Sequence, residues 1–358
     1  MIQNFYILGS NQERPISDRT IFADGSSDTS FLVGIDLELS HWSGSKTPSE
    51  YKADTSTEIC MKFIKSTKDK LGMYDLAMNN HLDVDGILSV FTLIHSEIAL
   101  KYSTTIIEAA TIGDFWGFGS DEAFILFQGL TLFYNDLVNK KEDIRKIYSL
   151  SFEEIKKLLT SLKGTFEGIH EGVSVIKRSL KMIQHNEIKR IQYHQRFVLY
   201  TVPKDIARNN LERCLYHPDF NEVISSKGLL FPHARNKFDR ERIHLVSVET
   251  SKGWYYTLQY PGYSWADTPD SWRPPGAIYS DSFLYAYKNE KLDEVVEKLN
   301  KYENGDGSWS HTIKFGYDET FKKGSFPIIL SFMTKDYEVA RSTINTEKVA
   351  ELLSEVYS

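Results

Sequence analysis

The chain has 358 residues, 41% hydrophobic and 25% charged, with a net charge of −7 and a pI near 5.9. That length exceeds the roughly 250–300 residues at which a single core splits, so two domains are expected, and the composition is that of an ordinary globular protein. The acidic balance excludes broad, sequence-independent binding to nucleic acid, which depends on Lys and Arg neutralising phosphates. Cys60 and Cys214 stand far apart with no C-x-x-C spacing. They offer no zinc site and fit a reducing compartment, with the cytoplasm as the default. No apolar run approaches the ~20 residues that span a bilayer, and the N-terminus lacks the basic-then-apolar pattern of a signal peptide, so neither is expected.

In chain order, residues 5–8 read as a short strand and 10–19 as loop. Residues 31–37 are apolar and partly β-branched, the pattern of a strand that would deliver Asp36 near its end. Ser40-His41-Trp42-Ser43-Gly44 is loop-like, and Asp54-Thr55-Ser56-Thr57 offers caps for a helix whose apolar face begins at Ile59, Phe63 and Ile64. Residues 74–78 then lead into the sharpest chemical signal, the run Asn79-Asn80-His81-Leu82-Asp83-Val84-Asp85-Gly86. On an extended segment, side chains at i, i+2 and i+4 share a face, so His81, Asp83 and Asp85 would converge there. Gly86 would let the backbone turn, and residues 87–100 supply a buried helix. Strand, acidic turn, helix is the arrangement in which α/β proteins hold ligands and metals at strand carboxyl ends. Residues 105–115 repeat the pattern of an apolar run reaching an acid, here Asp114, and 121–139 form a further helix.

Alternating strands and helices predict an α/β domain with a mainly parallel sheet over residues 1–145. Ser151-Phe152-Glu153-Glu154 fits a capping box that opens a Lys-rich helical stretch, so 146–190 reads as a helical connector. Residues 191–358 turn to aromatics and β-formers: a strand at 196–202, a hairpin from 244–249 and 254–260, a strand at 326–332, and helices at 292–300 and from 345. This half is expected to be an α+β domain that selects a substrate or partner. Its basic run, Arg235, Lys237, Arg240 and Arg242, contains Asp239 and Glu241 and reads as a solvated mixed-charge face. The aromatic stretch 256–272, with Arg273 beside it, suits core packing or stacking on a base or sugar.

Mixed imidazole and carboxylate ligands suit manganese, iron or magnesium, and two-metal sites of that kind activate water and neutralise phosphoryl oxygens. The competing use of Asp83 and Asp85 is to cap the following helix while His81 makes a structural hydrogen bond. The stretch from His81 to Ser89 resembles the first motif of the DHH phosphoesterase superfamily. Those are manganese-dependent hydrolases that include RecJ-type exonucleases and relatives acting on small nucleotides and pyrophosphate. Glu108-Ala109-Ala110-Thr111-Ile112-Gly113-Asp114, followed by Asp121-Glu122 and Gly129-Leu130, is similar to the family's late motif, in which an Asp binds metal. Asp36 with His41, then Asp54 to Glu58, is similar to the family's D-H-H loop and the helix start after it. Here the triplet is not contiguous and precedes the D-x-D-G turn, which requires either a circular permutation or a chance match.

That resemblance covers roughly residues 1–140. It implies a metal-dependent hydrolase of phosphate esters or anhydrides, acting on a small phosphorylated, nucleotide- or oligonucleotide-like substrate. His81, Asp83, Asp85, Asp114, Asp36 and His41 would hold one or two Mn²⁺ (or Mg²⁺), with Asp83, Asp85 and His41 also catalytic. Two alternatives stand beside it. One is a degenerate phosphoesterase fold that binds a nucleotide or a protein without turnover. The other is a haloacid-dehalogenase-type phosphatase with Asp83 as nucleophile, since Asp83-Val84-Asp85-Gly86-Ile87-Leu88 also resembles that family's motif. The polar residues before Asp83 and the early position of Asp114 count against it.

Overall fold

The computed structural model describes residues 2–66, 71–161, 166–208, 210–269, 272–279, 286–313 and 326–358. It has two compact units. The first comprises residues 1–175 with the short segments 218–226 and 266–270; the second comprises 176–217, 227–265 and 271–358.

In the first unit, strands β1 (Asn4–Ile7), β2 (Thr20–Ala23), β3 (Leu37–Leu39) and β4 (Leu76–Asn79) form a sheet of order β1-β4-β2-β3. All of its pairings are parallel. β2 and β4 are buried along their whole length, as expected of short apolar strands covered on both faces. A parallel sheet brings every carboxyl end to the same edge, so the residues just after β2, β3 and β4 become neighbours. Helix α1 (Ser56–Ser66) crosses between β3 and β4, and α2 (Val84–Ile94) follows β4. Every α2 residue from Val84 to Leu93 is buried, which makes it the central helix of the unit. Short α3 (Ser96–Lys101) leads to α4 (Ser103–Phe115), α5 (Asp121–Asn139) and α6 (Ile144–Ser161).

Three sequence expectations change here. The strand expected at 31–37 begins only at Leu37, after a turn, so Asp36 precedes it instead of ending it. The apolar run 105–115 is helical: Ile106, Ala109, Ala110 and Gly113 are buried along one α4 face, a period that suits a helix. Residues 146–190, expected as a connector, divide between the units at 175/176. The cause is burial of Ile147, Tyr148, Phe152, Ile155 and Leu158 along amphipathic α6, which commits that helix to the first unit.

The second unit begins within α7 (Ile169–Gln184). Its mixed six-stranded sheet contains β5 (Lys189–His194), β6 (Phe197–Val202), β7 (Ile243–Thr250), β8 (Gly253–Gln259), β11 (Ser308–His311) and β12 (Ile328–Met333), in the order β11-β12-β8-β7-β6-β5. Only β6 and β7 pair in parallel. A small ribbon joins β9 (Ala277–Ile278) to β10 (Ala286–Tyr287). Short helices α8 (Lys204–Ala207) and α9 (Leu211–Leu215), then α10 (Pro232–Asp239), lie between β6 and β7 in sequence, and α11 (Glu290–Tyr302) and α12 (Thr346–Val356) complete the unit. The fold is therefore mixed α/β, with a parallel sheet at the N-terminus and a mixed sheet in the C-terminal region. Among the described residues, no helix is long and apolar enough to cross a membrane.

Candidate metal centre

Five elements of the first unit bring six ionisable side chains together. Asp24 follows β2, His41 lies two residues beyond β3, and His81 two residues beyond β4. Asp83 and Asp85 stand at the start of α2, and Asp114 in the last turn of α4. Two groups have ligand atoms within 4.8 Å of one another: Asp24, His41 and Asp85, and Asp24, His81 and Asp83. Asp24 is common to both.

Each histidine is oriented from behind. His41 Nδ1 lies 2.7 Å from the Asp54 carbonyl oxygen, which only accepts, so Nδ1 carries the proton. Asn80 donates through Nδ2 to the Ser26 carbonyl at 3.1 Å, turning its Oδ1 to His81 Nδ1 at 2.7 Å. Both Nε2 atoms therefore face the acids. His41 Nε2 is 3.7 Å from Asp24 Oδ1, 3.7 Å from Asp85 Oδ2 and 3.5 Å from Asp114 Oδ2. His81 Nε2 is 3.0 Å from both Asp24 Oδ2 and Asp83 Oδ2. An imidazole locked at Nδ1 by an oxygen, with Nε2 turned to carboxylates, is the usual preparation of a metal ligand.

The carboxylates are held with equal care. Asp85 accepts from Ser56 N and Thr57 N, each at 2.8 Å, so the amino end of α1 grips it. Ser56 Oγ donates to Asp24 Oδ1 at 2.8 Å and accepts from His41 N at 3.1 Å. Asn221 Nδ2 holds Asp114 Oδ1 at 3.2 Å. Asp83 caps α2, its Oδ1 accepting from Gly86 N at 2.7 Å. The capping use of Asp83 is thus present alongside its contact with His81. The side chains do not share a face by strand alternation, because β4 stops at Asn79 and α2 starts at Val84.

Gly86 acts differently from the expectation that it frees the backbone to turn. It is helical, and a Cβ there would stand 2.2 Å from Asn79 Nδ2 and 3.0 Å from the Tyr148 hydroxyl. That hydroxyl donates to the His81 carbonyl at 2.7 Å, so the bare glycine makes room for the polar layer beneath the site.

Burial dominates the electrostatics. It pushes Asp85 up to about 6, with Asp24's charge adding to the effect. Asp114 rises well above the usual carboxylate range through burial and then the charges of Asp83, Asp85 and Asp24. Burial also works to raise Asp24, but His81 outweighs it and holds Asp24 near 2. Burial opposes charge on His81, yet Asp83 and Asp24 push it up to about 12. The cluster is deficient in positive charge. Among the described residues, Asp24 Oδ2 is buried and accepts no hydrogen bond of good geometry, although His81 Nε2 lies 3.0 Å away. Together with the oriented imidazoles, that oxygen fits a site for an oxygen- and nitrogen-liganded divalent cation. A cavity of about 140 Å³ reaches Asp24 past Ser26, Asp28 and Asn80.

Of the residues singled out by sequence, His41, His81, Asp83, Asp85 and Asp114 gather here, but Asp36 does not. Its carboxylate accepts from Thr20 N at 2.8 Å and Leu32 N at 2.9 Å, closing a loop at the amino end of β3. The strand separates it from the edge that carries His41. Asp24 takes the place expected of it. A signal for Asp24 was present: Thr20-Ile21-Phe22-Ala23 is a short β-forming run that ends directly in Asp24-Gly25.

The chain belongs to a family of unknown function, DUF6687, whose model matches residues 6–313. No curated protein matches it.

Proposed function

We propose that this DUF6687 member is a metal-dependent hydrolase of phosphate esters or anhydrides, with a DHH-like centre in its first unit. The observation that carries this reading is the pair of Nδ1-locked histidines aimed at one shared carboxylate, Asp24. Asp24, His41 and Asp85 would hold one Mn²⁺ or Mg²⁺, with Asp114 beside His41; Asp24, His81 and Asp83 would hold a second. Such cations supply neutralisation of phosphoryl oxygens and a water of lowered pKa. The chain's own contribution is positional. Asp54 and Asn80 fix the imidazoles, the amino end of α1 fixes Asp85, and the cavity of about 140 Å³ at the strand carboxyl ends would take the phosphate end of a small phosphorylated, nucleotide-like substrate. Two buried free cysteines accord with a cytoplasmic setting.

An aspartyl-phosphate route through Asp83 is less well supported, because its two oxygens already engage Gly86 N and His81 Nε2. The non-catalytic alternative is a degenerate phosphoesterase fold that binds a nucleotide or a protein without turnover. Metal analysis of protein purified without chelator, together with Mn²⁺-dependent hydrolysis of pyrophosphate and of a model phosphodiester, separates the readings. Bound metal with turnover, both lost in Asp24→Asn, supports hydrolysis; thermal stabilisation by a nucleotide without turnover supports the binding-only reading. A protein that takes up no divalent cation, and that Asp85→Asn leaves indistinguishable in this respect, would sink the hydrolase reading.

A further inference from the structure

The second unit contains a cavity of about 340 Å³ where the β5–β6 turn meets the carboxyl end of α10 and the following turn. Among the described residues, Arg196, Lys237, Arg240 and Arg242 line it, against one acid, Glu241. In a chain of net charge −7 this is a concentrated positive surface. The sequence reading as a mixed-charge face rested on two interspersed acids, and the structure removes one of them. Asp239 is fully buried and turned inward, where it accepts from Arg190 Nε and Nη2 at 2.6 Å each, from Arg242 Nη1 at 2.7 Å, and from the Tyr200 hydroxyl. Arg235 is likewise buried and belongs to the core, not the cavity.

The lining cations differ in their commitments. Arg242 is structural, since Nη1 also donates to Phe238 O and Nε to Gln195 O, completing the carboxyl end of α10. Arg196 lies over the Trp272 ring at 5.1 Å, which fixes its plane, and among the described residues it donates no hydrogen bond. Among the described residues it pairs with Glu241, with Arg196 Nη1 3.7 Å from Oε2 and Arg240 Nη1 3.6 Å from Oε1. The Tyr263 hydroxyl, at 2.6 Å from Oε2, draws the same carboxylate. Glu241 therefore sits beside two guanidinium groups without closing a short ion pair on either. It marks where an oxyanion between them would be stabilised. Planar guanidinium groups recognise phosphate oxygens well, and the volume is that of a small-molecule site.

We propose that this cavity binds a small phosphate-bearing anion, with Arg196 as its principal ligand, Lys237 and Arg240 adding charge, and Glu241 limiting affinity. The proposal is independent of the metal centre and does not require turnover. Titration calorimetry of the full chain with inorganic pyrophosphate, in EDTA and at two salt concentrations, tests it. The expected result is saturable, salt-sensitive binding. Arg196→Gln should weaken it at least tenfold and Lys237→Gln several-fold, while Glu241→Gln tightens it several-fold, each with the unliganded melting temperature of the parent. The idea is overturned by an absence of saturable binding at millimolar pyrophosphate. It is equally overturned if binding appears only with Mn²⁺, or if Arg196→Gln and Glu241→Gln both leave it unchanged.

Discussion

Each unit buries a cluster of ionisable groups, and the two differ in how acids are matched by donors. In the second unit, His244 Nε2 donates to the Asp239 carbonyl at 2.8 Å, leaving Nδ1 to accept from Arg235 Nη1 at 2.6 Å. Arg235 Nη2 donates to Gln259 Oε1 at 2.7 Å, and Asp239 takes Arg190, Arg242 and Tyr200. Apart from Arg235 Nε, donors meet acceptors throughout. In the first unit four carboxylates crowd two imidazoles: His81 Nε2 lies 3.0 Å from Asp24 and Asp83, and His41 Nε2 lies 3.5–3.7 Å from Asp24, Asp85 and Asp114. Burial of charge is common to both clusters, so burial alone does not mark a site. A surplus of one sign, held rigidly from behind, does.

The largest effect should come from opening the second unit's cluster. Asp239→Ala removes the acceptor shared by Arg190, Arg242 and Tyr200 and strands buried donors. Urea unfolding should show a loss of roughly 3–5 kcal/mol, the usual result of breaking a buried charge network from one side. A change below about 1 kcal/mol would mean that the network is not what holds α10 to β6 and β7, and the contrast between the clusters would lose its basis.

Acid should act on the same cluster. Burial, and then Arg235, hold His244 down to about 3, against an ordinary value of 6.5. Below pH 6.5 the unfolded chain takes up a proton that the native state refuses, so stability is full above that pH. It is lost as pH falls, until the native imidazole protonates near pH 3. Asp239, also held below the usual carboxylate range by its partners despite burial, adds loss in the same direction at the acid end. Unfolding free energies from denaturant titrations should fall by on the order of 3 kcal/mol from pH 7 to pH 4, and by much less in His244→Gln. An equal slope in parent and variant would show that the imidazole is not the titrating group.

The fold class was legible because strand, turn and helix signals are local. The site was legible only where strand ends carry their own chemistry, as at His81, Asp83 and Asp85. Asp24 and Asp36 show why the remainder was hidden. Residues 20–23 form a strand too short to stand out beside the polar loop before them, and its partners β3 and β4 lie 14 or more residues away in sequence. Conversely, the apolar turn at 31–36 imitates a strand. The helix at α4 was obscured because an apolar run reaching an acid looks alike in either conformation. The inward turn of Asp239, which leaves a basic cavity behind, depends on Arg190 and Tyr200 from distant strands and has no local signature.

Metal should stabilise the first unit by mass action. At Mn²⁺ one hundred times above its dissociation constant, the gain is about 2.7 kcal/mol for one site. Thermal unfolding with and without chelator should report that gain in the parent and none in Asp24→Asn, which removes the carboxylate common to both ligand groups. The Asp239→Ala protein, if it retains its fold at low temperature, should keep the metal-dependent increment. Loss of the increment there would show that the clusters are energetically coupled.

The smallest effect is the most discriminating, because the two clusters should respond to the same kind of substitution with opposite signs. Asp114 is buried beside Asp83, Asp85 and Asp24, and those charges, after burial itself, oppose its ionisation. Asp114→Asn keeps the shape and removes the like charge. Its carbonyl can still accept from Asn221, and its amide can donate towards His41 Nε2, which now stands 3.5 Å from Oδ2. In chelator the variant should be more stable than the parent by about 1 kcal/mol, as relief of buried like-charge repulsion predicts. Its Mn²⁺ affinity should fall at least tenfold. Removing a carboxylate from the second unit's cluster destabilises, whereas removing one from the acid-rich cluster of the first unit stabilises the metal-free chain. If Asp114→Asn instead costs stability in chelator, the four carboxylates are a satisfied structural network, and the case for a cation between them fails at its electrostatic root.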